Sequence, residues 1–174
     1  DDAAHARASI AMSAGARESI GPYRLTKRIG RGGMAEVLAA VAPDGARVVV
    51  KRMLPHLVEE PAYVRLFLRE ARIAARLRHP NVVRLLDVDR DGDDLFLVFE
   101  LVDGVTLHEL ARRAWRAERA LPIELSVRAV ADAAIGLHHA HELRDDGGAL
   151  AGLVHRDVSP DNLMIDKDGV TRVL

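Results

Sequence analysis

The 174-residue sequence contains no cysteine. That excludes disulfides and thiolate metal sites, and it fits a reducing compartment. It also lacks an excess of either charge. Lys and Arg number 25 against 26 Asp and Glu, a formal net charge of −1. With no basic surplus to neutralise phosphodiesters, nucleic acid is excluded as an expected partner. Nor is any apolar run long enough to span a bilayer. The most apolar stretch, Leu95 to Val102, is broken by Glu100. What the sequence does have is 49 % hydrophobic residues. That is enough to bury a real core in one domain, or one and a half.

Residues 1–21 hold few large apolar groups among Ala, Ser, Arg and Asp. Such a stretch cannot bury enough surface to offset its ordering entropy, so a disordered tail is expected there. From Pro22 onward, Tyr23, Leu25 and Ile29 read as strand residues, followed by Gly30-Arg31-Gly32-Gly33-Met34-Ala35-Glu36-Val37. Glycines between two strands let backbone N–H groups approach phosphate oxygens, because no Cβ intervenes. Many hairpin turns use glycine too, so this pattern alone is weak. It is not a Walker A loop, since no Gly-Lys-Ser/Thr follows. Asp44-Gly45 marks a tight turn, and Arg47 to Arg52 a strand that ends near Lys51.

Pro61 to Leu77 has helical periodicity, with Phe67, Glu70, Ala74 and Leu77 on one face. Glu70 is an acid in an inward stripe, and a carboxylate placed there calls for a cationic partner. His79-Pro80-Asn81 stops the helix. Val82 to Val88 and Leu95 to Val102 read as strands around a polar turn. Leu107 to Arg116 reads as a short amphipathic helix, and a longer helix runs from Pro122 to about His141. Of His138, His139 and His141, helical spacing puts His138 and His141 on one face, but no third ligand accompanies them at a metal-site spacing, so a structural role is expected.

The chemistry concentrates in His155-Arg156-Asp157-Val158-Ser159-Pro160-Asp161-Asn162. Leu153-Val154 before it and Leu163-Met164-Ile165 after it read as short strands, which puts these polar residues on a loop. A carboxylate at Asp157 can orient a hydroxyl proton. The amide oxygen of Asn162 can join a hard-cation site of the kind Mg²⁺ prefers. Asp166 and Asp168 read as turn formers before the strand Val170 to Leu174.

This loop resembles the catalytic loop of protein kinases, H-R-D-x-x-x-x-N. The glycine stretch resembles the kinase G-x-G-x-x-G-x-V with Ala35 at the third glycine, and Val-x-Val-Lys around Lys51 resembles V-A-I-K. Leu137 and His141 resemble the L-x-x-x-H that ends the corresponding kinase helix. The resemblance covers residues 22–174 and stops immediately before the expected Asp-Phe-Gly. It implies an α+β, two-lobe kinase-like fold with a complete N-lobe and a partial C-lobe. Residues 1–21 would be the tail, 22–102 the N-lobe with hinge, and 103–174 the C-lobe through the catalytic loop. It further implies a bacterial-type serine/threonine protein kinase fragment that uses ATP and Mg²⁺ on a protein hydroxyl. Asp157, Lys51, Glu70 and Asn162 would be the catalytic set, with Glu70 paired to Lys51 and Asn162 on the metal. Ile29, Gly30, Gly32, Gly33, Val37, Val49, Lys51, Glu100, Val102 and Met164 would line the nucleotide site. A cytoplasmic location follows for this part, although a parent protein could carry a membrane segment elsewhere. Ser159 stands where serine/threonine kinases usually have lysine, while Pro160 keeps their K-P-x-N pattern. Without an Mg²⁺-binding Asp and the segments that anchor the catalytic loop, these residues alone are expected to fold poorly and transfer phosphate weakly. The alternatives are an inactive nucleotide-binding module, or a small-molecule phosphotransferase of kinase-like fold.

Overall fold

A computed structural model describes residues 18–145 and 147–174. They form two compact units. One runs up to Arg65 and includes Asp87–Val98; the other comprises Leu66–Leu86 and Phe99–Leu174. The architecture is α+β. A six-stranded sheet is built from β1 (Ser19–Ile20), β2 (Tyr23–Arg31), β3 (Ala35–Val41), β4 (Arg47–Met53), β5 (Leu85–Asp91) and β6 (Asp94–Glu100). Its strand order is β1-β2-β3-β4-β6-β5.

In the first unit, alternation separates the two faces of the sheet. Leu38 and Ala40 of β3 lie opposite Val50 and Val48 of β4, and all four are buried in a cluster with Ile20, Tyr23, Leu25, Phe96 and Val98. The intervening residues, Val37, Val49 and Lys51, therefore share the other face, because strand side chains alternate. The ends of the strand order come together. Gly21 N–H donates to the Asp91 carboxylate at 2.9 Å, and Tyr23 Oη donates to Asp87 at 2.8 Å. Tyr23 also meets Phe96 edge to face at a centroid distance of 6.0 Å. Burial, with the Asp87 hydrogen bond second, pushes the Tyr23 hydroxyl up to about 12. The fold begins earlier than composition suggests. Ser19–Ile20 pairs with Tyr23 and Arg24, and Ile20 is fully buried. Ser19–Ile20 is thus not part of a tail, and residues 1–17 of that expectation lie outside the described residues.

The second unit holds α1 in part (Pro61–Ala74), α2 (Leu107–Arg116) and α3 (Ile123–His141), with a small sheet β7-β8-β9. Its strands are Gly104–Thr106, Leu163–Asp166 and Thr171–Val173. Phe67 and Ala71 are the buried positions of α1. Ala133 of α3 packs with Leu163 and Val173, and Leu107 and Leu137 close over them. The peptide of Thr171 is clamped on both sides. Its N–H donates to buried Asp132 of α3 at 3.1 Å, and its carbonyl accepts from the Asn81 amide at 2.8 Å. Arg128 pairs with the other oxygen of Asp132 at 2.8 Å, so the buried charge is compensated. α3 also has a second apolar side: Ile123, Val127, Val130 and Ile135 are exposed.

Two sequence expectations need correction. The strand expected over 82–88 begins only at Leu85 and runs to Asp91, and Val82 makes a single bridge to Val173 instead. The Val82 N–H is used in a turn back to the His79 carbonyl at 3.0 Å, which keeps the chain bent there. Leu153-Val154 forms no strand. Among the described helices, none is long and apolar enough to cross a membrane.

His79 stacks on His139 of α3, with ring centroids 5.0 Å apart. His79 Nδ1 accepts the Asn81 N–H at 3.1 Å, and His139 Nε2 is buried without a partner among the described residues. Desolvation and then the neighbouring His139 hold His79 below its ordinary value of 6.5. Folded His79 therefore resists protonation that the unfolded chain accepts. Its stabilisation is present above about pH 6.5 and is lost as the pH falls through that value. Replacing His79 by Phe keeps a stacking ring there and removes the group that titrates. The thermal midpoint should then fall less between pH 7.5 and 5.5 than in the parent sequence; equal falls would show that His79 is not the source.

Candidate active site

The glycine stretch is the turn between β2 and β3. Register shifts between Leu25 and Lys27 and between Arg28 and Gly30 bend β2 as it approaches, which is what bulges do. Gly32 N–H closes the turn on the Ala35 carbonyl at 2.8 Å, and Ala35, at the position of the third kinase glycine, is a buried strand residue. None of Gly30, Gly32 and Gly33 has a positive φ. A Cβ built on Gly30 or Gly33 meets nothing within 4 Å. Neither backbone conformation nor packing in this chain demands glycine there. From this turn, Gly30 pairs with Val37, and Val37 in turn with Lys51. Val49 lies two residues before Lys51 on the same face, and Ile29 is half exposed on β2. Next to this row, Glu36 faces Arg52 across the strands. Arg52 Nε donates to Glu36 at 2.8 Å, and a terminal nitrogen meets the same oxygen. Asp94 approaches Arg52 at 3.8 Å. This nearly buried ion pair fixes the register that sets Lys51 opposite Val37.

The second unit holds the other candidates. The loop before β8 is closed by Asn162, whose amide nitrogen donates to the Asp157 carbonyl at 2.9 Å and to its carboxylate at 2.8 Å. His155 Nδ1 accepts the Asp157 N–H at 3.2 Å, so its proton sits on Nε2, which meets the Leu174 carbonyl at 2.9 Å. Leu174 N–H returns to the Asn162 carbonyl at 3.0 Å. Arg156 takes a left-handed φ of 65°, an uncommon backbone for a non-glycine residue. Pro160–Asn162 forms a short 3₁₀ turn leading into β8. The loop is thus held by side-chain bonds where the sequence suggested a strand on its first side.

Glu100 is tied to Arg84 twice: its N–H donates to the Arg84 carbonyl and its carboxylate accepts the Arg84 N–H, both at 3.0 Å. Val102 is buried, and Met164 lies on β8 between its partners Thr106 and Arg172. Gly104 passes so close to β8 that a Cβ would lie 2.1 Å from the Ile165 carbonyl. Thr106 caps α2 by accepting the Glu109 N–H at 3.1 Å. Arg113 and Arg112 bonded to the Glu109 carboxylate hold it below the usual carboxylate range. Asp166 accepts the N–H groups of Asp168 and Val170 at 3.0 and 2.9 Å, the turn-forming role its sequence context implies. Glu70 belongs to the second unit and Lys51 to the first.

Residues 23–174 match the protein kinase domain family. The chain belongs to the protein kinase family. Among its relatives, a tyrosine-protein kinase, MasK, of Myxococcus xanthus is 39 % identical over 88 % of this chain and 24 % of its own. A serine/threonine-protein kinase, PksC, of Streptomyces coelicolor is 34 % identical over 88 % of this chain and 27 % of its own. The solved kinase domain of Mycobacterium tuberculosis PknI superposes with a TM-score of 0.65 at 28 % identity, covering 94 % of this chain and 61 % of that one. The chain therefore spans about a quarter of the length of these two curated relatives. The kinase-like fold implied by the motifs is the fold observed.

The glycines give a direct test of which positions the chain needs for itself. Gly30→Ala and Gly33→Ala should leave the thermal midpoint unchanged or slightly raised, since both sites have room. Gly136→Ala puts a Cβ 2.6 Å from the Asn81 carbonyl and should cost about 1–3 kcal/mol. Thermal melts of the three variants decide it; equal losses at all three would refute the distinction.

Proposed function

We propose that the parent protein is a serine/threonine protein kinase that moves the γ-phosphoryl group of ATP to a protein hydroxyl. The observation that carries this reading is the grip of Asn162 on both the backbone and the carboxylate of Asp157. It fixes the acid while turning the Asn162 amide nitrogen inward, so the amide oxygen is the end left for a cation. Asp157 accepts or orients the proton of the attacking hydroxyl. Lys51 binds the α- and β-phosphates, and Glu70 orients Lys51. The backbone of the glycine turn covers the phosphates, with Gly30, Gly32 and Gly33 leaving room. Ile29, Val37, Val49 and Met164 contact the adenine ring, and the backbone of Glu100 to Val102 bonds its edge.

The donor set also suits Mg²⁺. Asn162 and Asp157 offer hard oxygen atoms, and this ion is usually held by one or two such side chains together with substrate phosphates. When bound, the ion would neutralise charge developing on the phosphoryl oxygens. Asn162 is the residue that would hold it. The reaction asks little covalent chemistry of the protein, so positioning and electrostatics carry it.

Pro160 and the names of most of the relatives support serine or threonine as acceptor. The similarity to MasK makes tyrosine the second reading. Phosphoamino-acid analysis of a phosphorylated generic substrate separates the two. In the full-length protein, Asp157→Ala should lower phosphoryl transfer by at least about 10²-fold and leave ATP affinity within a few-fold. Transfer at the parent rate would remove Asp157 from the mechanism, and loss of ATP binding alone would recast it as a binding residue.

A further inference from the structure

Two of the proposed nucleotide residues of the second unit, Glu100 and Met164, share one neighbour. Arg172 lies on β9 directly opposite Met164 of β8. One terminal nitrogen donates to Glu100 Oε1 at 3.0 Å, and the other to Asp166 Oδ2 at 3.3 Å. The same Glu100 oxygen accepts the Arg84 N–H. A planar guanidinium presents its two outer nitrogens at a fixed angle, so it can hold two acids in one geometry where a lysine could not. The acids are only partly in water: the side chains of Glu100 and Asp166 are 26 % and 9 % exposed. Arg172 Nε is shut away from solvent without a partner among the described residues. Leaving a buried donor unsatisfied is costly, so the two outer contacts must outweigh that loss.

We infer that Arg172 is a positioning residue for the nucleotide, holding Glu100 and hence the backbone up to Val102 to which adenine binds. The inference rests on the kinase reading above. Its physical basis is a chain of fixed points. Asp166 is pinned by two N–H groups of its own turn. Arg172 carries that fixed position to Glu100, and Arg84 holds Glu100 from its other side. Removing the guanidinium leaves two partly buried carboxylates near each other with no cation between them, and their repulsion displaces the more exposed one, Glu100. Hydrogen bonds weaken steeply once their angles open, so a small shift of this backbone costs adenine affinity. Asp157 and Asn162 are held by a separate set of bonds, so the chemical step is not the one affected.

The experiment compares the full-length protein with Arg172→Met and Arg172→Lys. It measures the KM for ATP, kcat, discrimination between ATP and GTP, and the thermal midpoint. Arg172→Met should raise the KM for ATP about tenfold, or about 1.4 kcal/mol. It should lower ATP-over-GTP discrimination and leave kcat within about twofold. Arg172→Lys should recover part of the KM. If Arg172→Met does not fold, Asp166→Asn, which removes the charge at the other end of the fork at nearly constant size, carries the same measurements. Folded variants with unmoved KM and discrimination overturn the role of Arg172. So does a higher kcat at unchanged KM, which would make the clamp a restraint on turnover. A parent protein that neither binds ATP nor transfers phosphate refutes the kinase reading and this inference together. An active parent with unmoved variants refutes the inference alone.

Discussion

The second unit depends on the hydrogen bonds made by one short strand, β9. The Thr171 peptide is held by the Asp132 carboxylate on one side and the Asn81 amide on the other. Two residues on, the Val173 N–H donates to the Asn81 carbonyl at 2.9 Å, and the Val173 carbonyl accepts from Val83 at 2.9 Å. One strand thereby joins α3, the segment after α1, and β8. The loop that carries Asp157 and Asn162 is tied to this anchor. The residue after the strand, Leu174, meets both His155 and Asn162, at the two ends of the loop that carries Asp157. A loop with few backbone ladders can still hold a carboxylate in place if its ends are fixed in this way. Gly136 belongs to the same constraint, because only a residue without Cβ lets α3 come this close to Asn81.

In the first unit the constraint is different. A sheet with one apolar face must cover it, and here the sheet curls so that β5 returns to β2. Tyr23 closes that curl through Asp87 and Phe96. The glycine turn closes one end of the sheet, and the Glu36–Arg52 pair lies beside it. Glu36 continues the inward row of Leu38 and Ala40, so its carboxylate would be costly there without Arg52. The pair therefore does for the first unit what Asp132 and Arg128 do for the second: an acid is buried for its geometry, and an arginine cancels its charge.

Much of this was legible in the residues, for reasons of period and punctuation. α2 was readable to its ends, because Thr106 is a good cap and the pattern is strongly amphipathic. α3 was readable because Pro122 and the apolar repeat mark it. The four kinase motifs were readable because their residues are few, polar and fixed in spacing. What the sequence hid are ties between segments far apart in the chain. Nothing around Asp132 shows that its carboxylate serves an amide 39 residues later. Arg172 looks like the solvent side of an alternating strand, and only the fold reveals Glu100 and Asp166 beside it. Ile20 looked like tail because two strand residues next to a glycine carry too little pattern to be recognised. Leu153-Val154 looked like strand because an apolar pair before a polar loop fits either state, and the ladder that decides between them is not a local property.

Ser159 gives the proposed site a definite electrostatic character. The segment from His155 to Asn162 carries one arginine and two carboxylates, Asp157 and Asp161, so with a neutral histidine it is net negative. In the kinase pattern a lysine at position 159 would balance one of those charges. Its absence matters most for an incoming polyphosphate. At about 4 Å, a pair of like unit charges near a protein surface repels by roughly 4 kcal/mol, against about 1 kcal/mol in bulk water. A serine hydroxyl can donate a hydrogen bond but cannot offset that repulsion. On the proposed reading, a triphosphate approaching this loop must therefore be neutralised by cations from outside positions 155–162. The oxygen chemistry of Asn162 and Asp157 favours a hard divalent ion arriving with the nucleotide, and Lys51 is the protein cation that the reading assigns to the phosphates. On that reading the charge balance rests on the metal and Lys51 in place of position 159, while Asp157 remains the acid assigned to orient the acceptor.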